Sequence, residues 1–287
     1  MFWLPLALVT AFFESLKDFF AKRSVSQKTD LYWVAWATHA FALPLIALAV
    51  WRLPFPHLDI RFFQAVVLSA SLNCVSALLM VHAFEASDLS LSMPMLTLSP
   101  LFMLLTSPLM LGEFPSRRGL LGVLLIVSGS YVLNINERVR GWWGPFRAML
   151  DHKGPRYMLG VALIWSVCAN IDKIGVRHSS PWHWILGFEI GITFLLSLLL
   201  APRLFKVRSQ LAQRWHLLLP IGLCGASALL FQMHAITMTQ VAYVVAIKRI
   251  SVLLSVLWGT WFLGERHVGH RLLAVLIMLA GVFMIAV

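Results

Sequence analysis

Residues 82–135 read HAFEASDLSLSMPMLTLSPLFMLLTSPLMLGEFPSRRGLLGVLLIVSGSYVLNI, and they lie without a gap over residues 234–287, 152 positions further along the chain. Of the 54 aligned positions, 13 are identical. Shared leucines are common between membrane segments, but a shared Leu-Gly-Glu ending at Glu113 and Glu265 is not. The match indicates an internal duplication, and the aligned residues form the C-terminal part of each half.

The composition predicts an integral membrane protein. Of the 287 residues, 60% are hydrophobic and 12% charged, about half the charged fraction of a soluble domain. The net charge of +11 lies mainly in short loops, where basic residues set orientation and meet lipid headgroups, so we expect no nucleic-acid partner. The cysteines Cys74, Cys168 and Cys224 lie in apolar runs without disulfide or zinc spacing.

Continuous apolar runs of about 17–25 residues are typical of membrane-spanning helices and exclude a barrel. Ten such runs are predicted, at 3–21, 31–51, 62–83, 90–112, 118–135, 157–177, 182–201, 215–236, 241–263 and 271–287. They divide the chain into a first repeat of five spans (1–135), a linker (136–156) and a second repeat of five spans (157–287). The Arg, Trp and Phe mixture of the linker predicts a short helix in the membrane interface.

Five is an odd number, so the second repeat enters the membrane opposite to the first. The predicted fold is therefore an all-α membrane protein of ten transmembrane helices in two five-helix inverted repeats. This layout is typical of secondary transporters, whose binding sites lie near the midplane between the halves. Prolines at 94, 100 and 108 predict either a broken, cavity-lining fourth span or a fixed bend.

The proline-rich fourth span, the Leu-Gly-Glu after the fourth and ninth spans and the glycine in the fifth and tenth resemble the EamA family of the drug/metabolite transporter superfamily. The resemblance covers essentially the whole chain. It implies secondary transport of metabolites, often export, by alternating access. Members usually have both termini in the cytoplasm, whereas the excess of Lys and Arg in the loops opposite the termini favours the reverse, so orientation stays open.

Two adjacent cations, Lys248 and Arg249, interrupt the ninth apolar run, and each costs roughly 2.5–3.5 kcal/mol at a helix centre. Their repeat equivalents are Leu96 and Thr97, so the cations belong to one half only. Triose-phosphate transporters, of the same superfamily, resemble this chain in such a pair. We interpret the pair as a site for an anionic substrate group, with structural ion pairs as the alternative.

Further intramembrane residues complete the predicted site. Lys173 is expected at the depth of Lys248, with Asp172 as counter-charge and Tyr243, about one turn before Lys248, as a substrate contact. Candidates for coupling or counter-charge are Glu14, Lys17, Asp172 and Glu189. A buried carboxyl either binds a proton or pairs permanently, and the alternatives stay open.

The leading interpretation is a secondary active transporter, an exporter or exchanger of a small anionic or zwitterionic metabolite, in the bacterial inner membrane. Its partners are the substrate, the lipid bilayer and either a proton or a counter-substrate; the protein is a monomer or homodimer. No cofactor or metal is expected, since Glu265, His267 and His270 lack a fourth ligand. The alternatives are a non-transporting membrane partner or sensor, and an intramembrane enzyme on lipid phosphate. The sequence contains neither a nucleophile elbow nor an HExxH motif, so an enzyme is not favoured.

Overall fold

The structure, a computed structural model, describes residues 2–27, 29–86, 95–134, 152–206, 208–263 and 269–286. These residues form helices without strands. The helices are α1 (Trp3–Ser26), α2 (Leu31–Ala40), α3 (Leu43–Val50), α4 (Ile60–Ala86), α5 (Ser99–Leu111), α6 (Arg117–Asn134), α7 (Lys153–Arg177), α8 (Pro181–Lys206), α9 (Arg208–Met238), α10 (Val241–Lys248), α11 (Ile250–Leu263) and α12 (Gly269–Ala286).

These helices make ten spans, because α2 with α3 and α10 with α11 are each one interrupted span. Five segments are long and apolar enough to cross a membrane on their own: Leu31–Val50, Ile60–Ala83, Lys153–Arg177, Pro181–Pro202 and Gln213–Met238. Shorter apolar helices occur at Ser99–Leu111 and Leu276–Ile285. Helix α1 has 24 residues but contains five charged side chains, which lower its hydropathy.

The packing of the helices repeats when the two halves are exchanged. Helix α1 packs on α9, and its counterpart α7 packs on α4, which is the counterpart of α9. Helices α6 and α12, the last span of each half, pack on each other. The α1 contact with α10 and α11 is matched by the α7 contact with α5. The predicted fold of two five-helix inverted repeats is confirmed by this architecture.

Glycines bring the backbones of α6 and α12 into direct contact. A Cβ atom added at Gly122 would lie 2.7 Å from the Gly281 carbonyl oxygen, and one added at Gly281 would lie 2.7 Å from the Gly122 oxygen. A Cβ at Gly129 would lie 2.8 Å from the Ala274 oxygen. In a membrane, where lipid tails are as apolar as leucine, such close van der Waals packing drives helix association. The duplicated glycines therefore serve the junction between the halves.

Two spans are interrupted at equivalent positions. Helix α10 ends at Lys248 and α11 begins at Ile250, and the Arg249 N–H donates to the oxygen three residues back, on Ala246, at 3.0 Å. In the fourth span residues 97–98 form a turn before α5 begins, and position 97 is the repeat equivalent of 249. Discontinuous spans of this kind surround the binding sites of many secondary transporters.

Proline explains only one of the two interruptions. Pro100 has no N–H to donate to the Leu96 carbonyl, so the first turn of α5 cannot continue backwards as a regular helix. This agrees with the predicted broken fourth span. Pro94 lies outside the described residues, and Pro108 lies within α5. The ninth span breaks without a proline, so its interruption at Arg249 was not signalled by a helix breaker.

The linker prediction is only partly within reach of the structure. Residues 135–151, which contain most of the predicted interfacial helix, lie outside the described residues. Residues 153–156, assigned to the end of the linker, are instead the first turn of α7. The division at 1–135, 136–156 and 157–287 stays a prediction.

The glycine contact between α6 and α12 gives a stability prediction. Replacing Gly281 by alanine (Gly281→Ala) forces a methyl group against the Gly122 oxygen and should destabilise the fold by about 1–3 kcal/mol, the usual cost of overpacking. Thermal unfolding of the purified protein in detergent measures the effect.

Gly160→Ala is the matched control, because the nearest atom to a Cβ there is Leu79 Cδ1 at an ordinary 3.8 Å. Its unfolding midpoint should be unchanged or slightly raised, since alanine favours a helix over glycine. Equal midpoints for the two variants would contradict the close contact.

Candidate functional site

A group of charged side chains lies among α1, α9 and the interrupted ninth span. The Glu14 carboxylate is 2.7 Å from Lys17 Nζ and 3.4 Å from Lys248 Nζ. Asp18 Oδ1 lies 3.8 Å from Lys17 Nζ. Lys248 also donates to the Gln232 side-chain oxygen on α9 at 3.0 Å. We call the five charged residues of this region the central charge cluster: Glu14, Lys17, Asp18, Lys248 and Arg249.

The central charge cluster is only partly shielded from solvent. The Lys17 and Lys248 side chains are 20% and 22% exposed, and that of Glu14 is 13% exposed. The cluster contains three cations and two acids, a formal excess of one positive charge. The charges of the cluster therefore do not balance one another.

Arg249 carries the excess charge with the fewest partners. It is 8% exposed, and its guanidinium donates to the Ser99 hydroxyl. Its Nε is buried and has no hydrogen-bond partner among the described residues. No carboxylate of the described residues lies within 4.0 Å of it. A buried guanidinium in this condition retains donors for a further acceptor.

The contact between Arg249 and Ser99 joins the two interrupted spans. Arg249 is the residue at which the ninth span breaks, and Ser99 begins α5 directly after the turn in the fourth span. The two breaks are equivalent in the repeats, so they meet close to the axis that relates the halves. Non-helical backbone at membrane depth is tolerated where it is buried in protein or lines a cavity.

Lys173 lies apart from these cations, in a second group of contacts. Its Nζ is 2.5 Å from the Glu113 carboxylate and donates to the Thr239 carbonyl at 2.5 Å. Arg177 lies 3.5 Å from the same carboxylate. Glu113 also accepts the N–H of Val241, the first residue of α10, at 3.1 Å. Glu113 therefore caps the first turn of α10 and not that of α6, the helix that follows it in the chain.

Tyr243 belongs to this second group too, not to the central charge cluster. Its hydroxyl accepts the Ser116 N–H at 3.0 Å, and its ring stacks on Trp3 with centroids 6.5 Å apart. Gln240 donates to the Phe114 carbonyl at 2.9 Å. We call this network, on the side of the membrane that holds the termini, the terminal-side closure: Glu113, Lys173, Arg177, Gln240 and Tyr243.

An ion pair connects the segment before α4 with the segment after α7, on the side of the membrane that holds the termini. Asp59, just before α4, lies 2.8 Å from His178, just after α7. Partial desolvation opposes ionisation of Asp59, but the Phe62 N–H and the His178 charge outweigh it and hold the pKa of Asp59 below its ordinary value. The pair fastens the ends of two packed helices.

The remaining predicted acids have other partners than expected. Asp172 accepts a hydrogen bond from Ser69 at 2.7 Å, and Glu189 is bonded to His39 Nδ1 at 2.8 Å. The structure therefore places Glu14 beside Lys248, and Glu113 beside Lys173, where the sequence suggested Asp172 as the counter-charge. No group of three or more metal-binding side chains occurs in the parts of the chain that the structure describes. Glu265 and His267 lie outside those parts, as does the side chain of His270.

Most of the contact partners of the buried charged residues that were not predicted from the sequence are uncharged. Ser69 and the Thr239 carbonyl have no distinctive pattern, because hydroxyls and carbonyls occur throughout membrane helices, whereas Ser99 is repeated in the second half as Ser251. Glu113 did carry a signal, since it is one of the few polar residues repeated in both halves. That signal indicated importance without naming Lys173 as its partner.

Ten spans in two inverted halves, interrupted fourth and ninth spans and buried cations between the halves define a membrane protein built like a secondary transporter. The profile of the EamA-like transporter family matches residues 1–135 and 152–287, and the chain belongs to this family. The family consists of transporters, not enzymes. A solved crystal structure shares the fold over 97% of this chain and 95% of its own, with a TM-score of 0.71 at 15% identity. No curated protein matches the chain.

The pairing within the central charge cluster predicts non-additive stabilities. Glu14→Gln leaves Lys17 and Lys248 without their shared acid and should cost on the order of 2 kcal/mol, less than a fully buried pair because the side chains keep some exposure. Glu14→Gln combined with Lys17→Gln restores the charge balance and should be closer to wild type than the sum of the single variants. Thermal unfolding of wild type, the two single variants and the double variant gives the coupling energy between Glu14 and Lys17. Strictly additive effects would contradict an interaction between the two side chains.

The terminal-side closure predicts a local change in dynamics. Glu113→Gln removes the charge that holds Lys173 and Arg177, so amide hydrogen exchange should accelerate at residues 112–119 and 239–243. Residues 29–31, on the other side of the membrane, serve as the internal control and should exchange as in wild type. Unchanged exchange at both terminal-side segments would show that Glu113 does not hold the closure.

Proposed function

We propose that this protein is a secondary transporter of a small organic anion or zwitterion, working by alternating access as an exporter or exchanger in a bacterial inner membrane. The observation that carries the proposal is Arg249, a buried guanidinium without an acid partner among the described residues, at the meeting point of two interrupted spans.

The buried cations are costly for the membrane-spanning helix. A charged side chain at the centre of a membrane helix costs roughly 2.5–3.5 kcal/mol on insertion scales. Glu14 offsets this cost for Lys17 and Lys248 but lies beyond ion-pair distance of Arg249. A phosphate or carboxylate group would supply the missing negative charge, and an arginine fork binds such groups with two parallel hydrogen bonds.

Residual exposure supports Lys248 as the second contact. Its side chain is 22% exposed although Glu14 and Gln232 hold its Nζ. An ammonium group attracts an anion as a point charge and does not constrain its geometry. Arg249 would thus orient the anionic group while Lys248 strengthens its attraction, and Tyr243 and Lys173 would act elsewhere in the cycle.

The terminal-side closure supports alternating access. Its contacts join the link between α5 and α6, in the first half, to α7 and α10, in the second. Opening toward the side of the termini requires these contacts to separate. In the conformation described, they keep that side shut, which is one of the two states that alternating access needs.

The proposal is tested by ligand stabilisation of the purified protein. Organic phosphates, carboxylates and amino acids are screened for a rise in the thermal unfolding midpoint, beside neutral and cationic compounds of similar size. An anionic or zwitterionic compound should stabilise wild type, and Arg249→Gln and Lys248→Gln should lose at least tenfold in affinity for it, as removal of a charged hydrogen bond implies. The matched control is Arg52→Gln, because Arg52 is exposed in the link before α4.

The outcomes separate the rival functions. Stabilisation by neutral or cationic compounds alone would contradict an anion site. A hit that is then carried across proteoliposome membranes by wild type but not by Arg249→Gln supports transport. Binding without flux would favour a membrane partner or sensor, and chemical conversion of the compound would favour an enzyme.

A further inference from the structure

Asp172 differs from every other described carboxylate in the partner it keeps. The others each lie beside a nitrogen: Glu14 beside Lys17, Asp18 beside Lys17, Asp30 beside the Tyr32 N–H, Asp59 beside His178, Glu113 beside Lys173 and Glu189 beside His39. Asp172 has the hydroxyl of Ser69, and within the described ranges no cationic nitrogen lies within 4.0 Å of it. It is 8% exposed.

The surroundings of Asp172 supply little else that is polar or charged. On α4, Ser69 donates to Asp172 and in turn receives a hydrogen bond from Asn73. Helix α5 has no titratable residue in its sequence, and Glu189 of α8 is bonded to His39. On its own helix Lys173 is the adjacent residue, but its ammonium is held by Glu113 and the Thr239 carbonyl. The buried thiol of Cys168 lies one turn away from Asp172.

One charged group does act on Asp172 from a distance. Lys248, at the end of α10, acts electrostatically on Asp172 from beyond ion-pair distance. The Lys248 ammonium itself donates a hydrogen bond to Gln232 on α9. Asp172 thus borders the central charge cluster without belonging to its ion pairs. Any change in the charge carried near Lys248 is felt at Asp172.

The hydrogen bonds available to Asp172 indicate whether this site favours its ionised or its protonated form. An ionised carboxylate has about four acceptor positions, and burying one with a single hydroxyl donor is strongly unfavourable. A neutral carboxylic acid needs fewer donors and offers an O–H of its own. The geometry therefore suits a carboxyl group that holds a proton in this conformation and becomes ionised only when its surroundings change.

We propose that Asp172 is the proton-carrying site of the transport cycle, and that the protein moves its anionic substrate together with a proton. The inference rests on the proposed function and adds the coupling ion. An anion on Lys248 and Arg249 cancels the positive charge that favours ionised Asp172, so the anion tightens proton binding. By linkage, the bound proton tightens anion binding by the same factor.

The balance of the step is simple. The Asp172 carboxylate takes one proton from water on one side of the membrane and returns it to water on the other. The proton and the anion bind to one conformation of the carrier, so they cross in the same direction. That direction follows whichever of the two gradients is steeper.

Infrared spectroscopy of the full-length protein in lipid nanodiscs tests the proton directly. The carbonyl stretch of a protonated carboxyl group should be present at neutral pH in wild type and lost in Asp172→Asn, which preserves a side chain able to bond Ser69. The matched control Asp59→Asn should keep the band, because Asp59 is paired with His178. A band that survives in Asp172→Asn would overturn the proposal, as would its absence from wild type.

Two further variants keep the test sharp. Ser69→Ala removes the hydrogen bond to Asp172 without removing the carboxyl, so the band should remain and move to higher frequency. Lys248→Gln removes the positive charge as a bound anion would, so the band should persist to higher pH than in wild type. An unmoved band in Ser69→Ala would reassign it to another acid, and an unmoved titration in Lys248→Gln would overturn the coupling.

The inference and the proposed function fail separately. If the infrared band is not that of Asp172 but the anion is still transported, the proton-carrying role of Asp172 is contradicted and the transport function stands. If the Asp172 band is present but no anion is transported, the proposed transport function is contradicted, and Asp172 is a buried protonated acid without a role in transport.

Discussion

The structure depends on the placing of a guanidinium group where its membrane-spanning helix breaks. A continuous ninth span would project Lys248 and Arg249 about 100° apart, toward different neighbours. The interruption frees Arg249 from a regular helical ladder, and it reaches Ser99 at the matching interruption of the fourth span. Burial of its charge is unfavourable unless another group repays it. The surrounding contacts leave this charge unbalanced: Glu14 of α1 and Gln232 of α9 contact Lys248, and the Arg249 Nε–H has no acceptor among the residues that the structure describes.

The inverted repeat places this imbalance at the centre of the molecule. Each half contributes one of the two equivalent interruptions, in its fourth span, and the close packing of α6 against α12 brings the halves together. The symmetry extends to the backbone but not to the two cations, because Leu96 and Thr97 occupy the positions of Lys248 and Arg249. A symmetric scaffold with an asymmetric charge is suited to a carrier, since the two halves can exchange conformations while one ligand group stays bound to one of them.

The sequence predicts the fold far better than the contacts. Apolar runs are long, and a 54-residue repeat is unambiguous, so the spans, their number and their inversion follow from hydropathy and counting. The interruption at Arg249 does not follow, because no proline or glycine marks it. Depth along a helix also says nothing about direction: Lys173 and Lys248 were expected together, yet Lys173 turns to Glu113 and the Thr239 carbonyl. Partners for buried charges are set by side-chain direction and by neighbouring helices, neither of which a single sequence states.

The central claim, that Arg249 binds an anionic group, is tested most directly by nuclear magnetic resonance of the full-length protein labelled with ¹⁵N at the arginine Nε atoms. The Arg249 signal is assigned by its loss in Arg249→Lys, and organic phosphates, carboxylates and amino acids are then titrated. The Arg249 Nε–H signal should shift saturably with one of these compounds as this donor, which has no partner among the described residues, gains an acceptor. An Arg249 signal that stays fixed while a transported compound saturates the protein would contradict it.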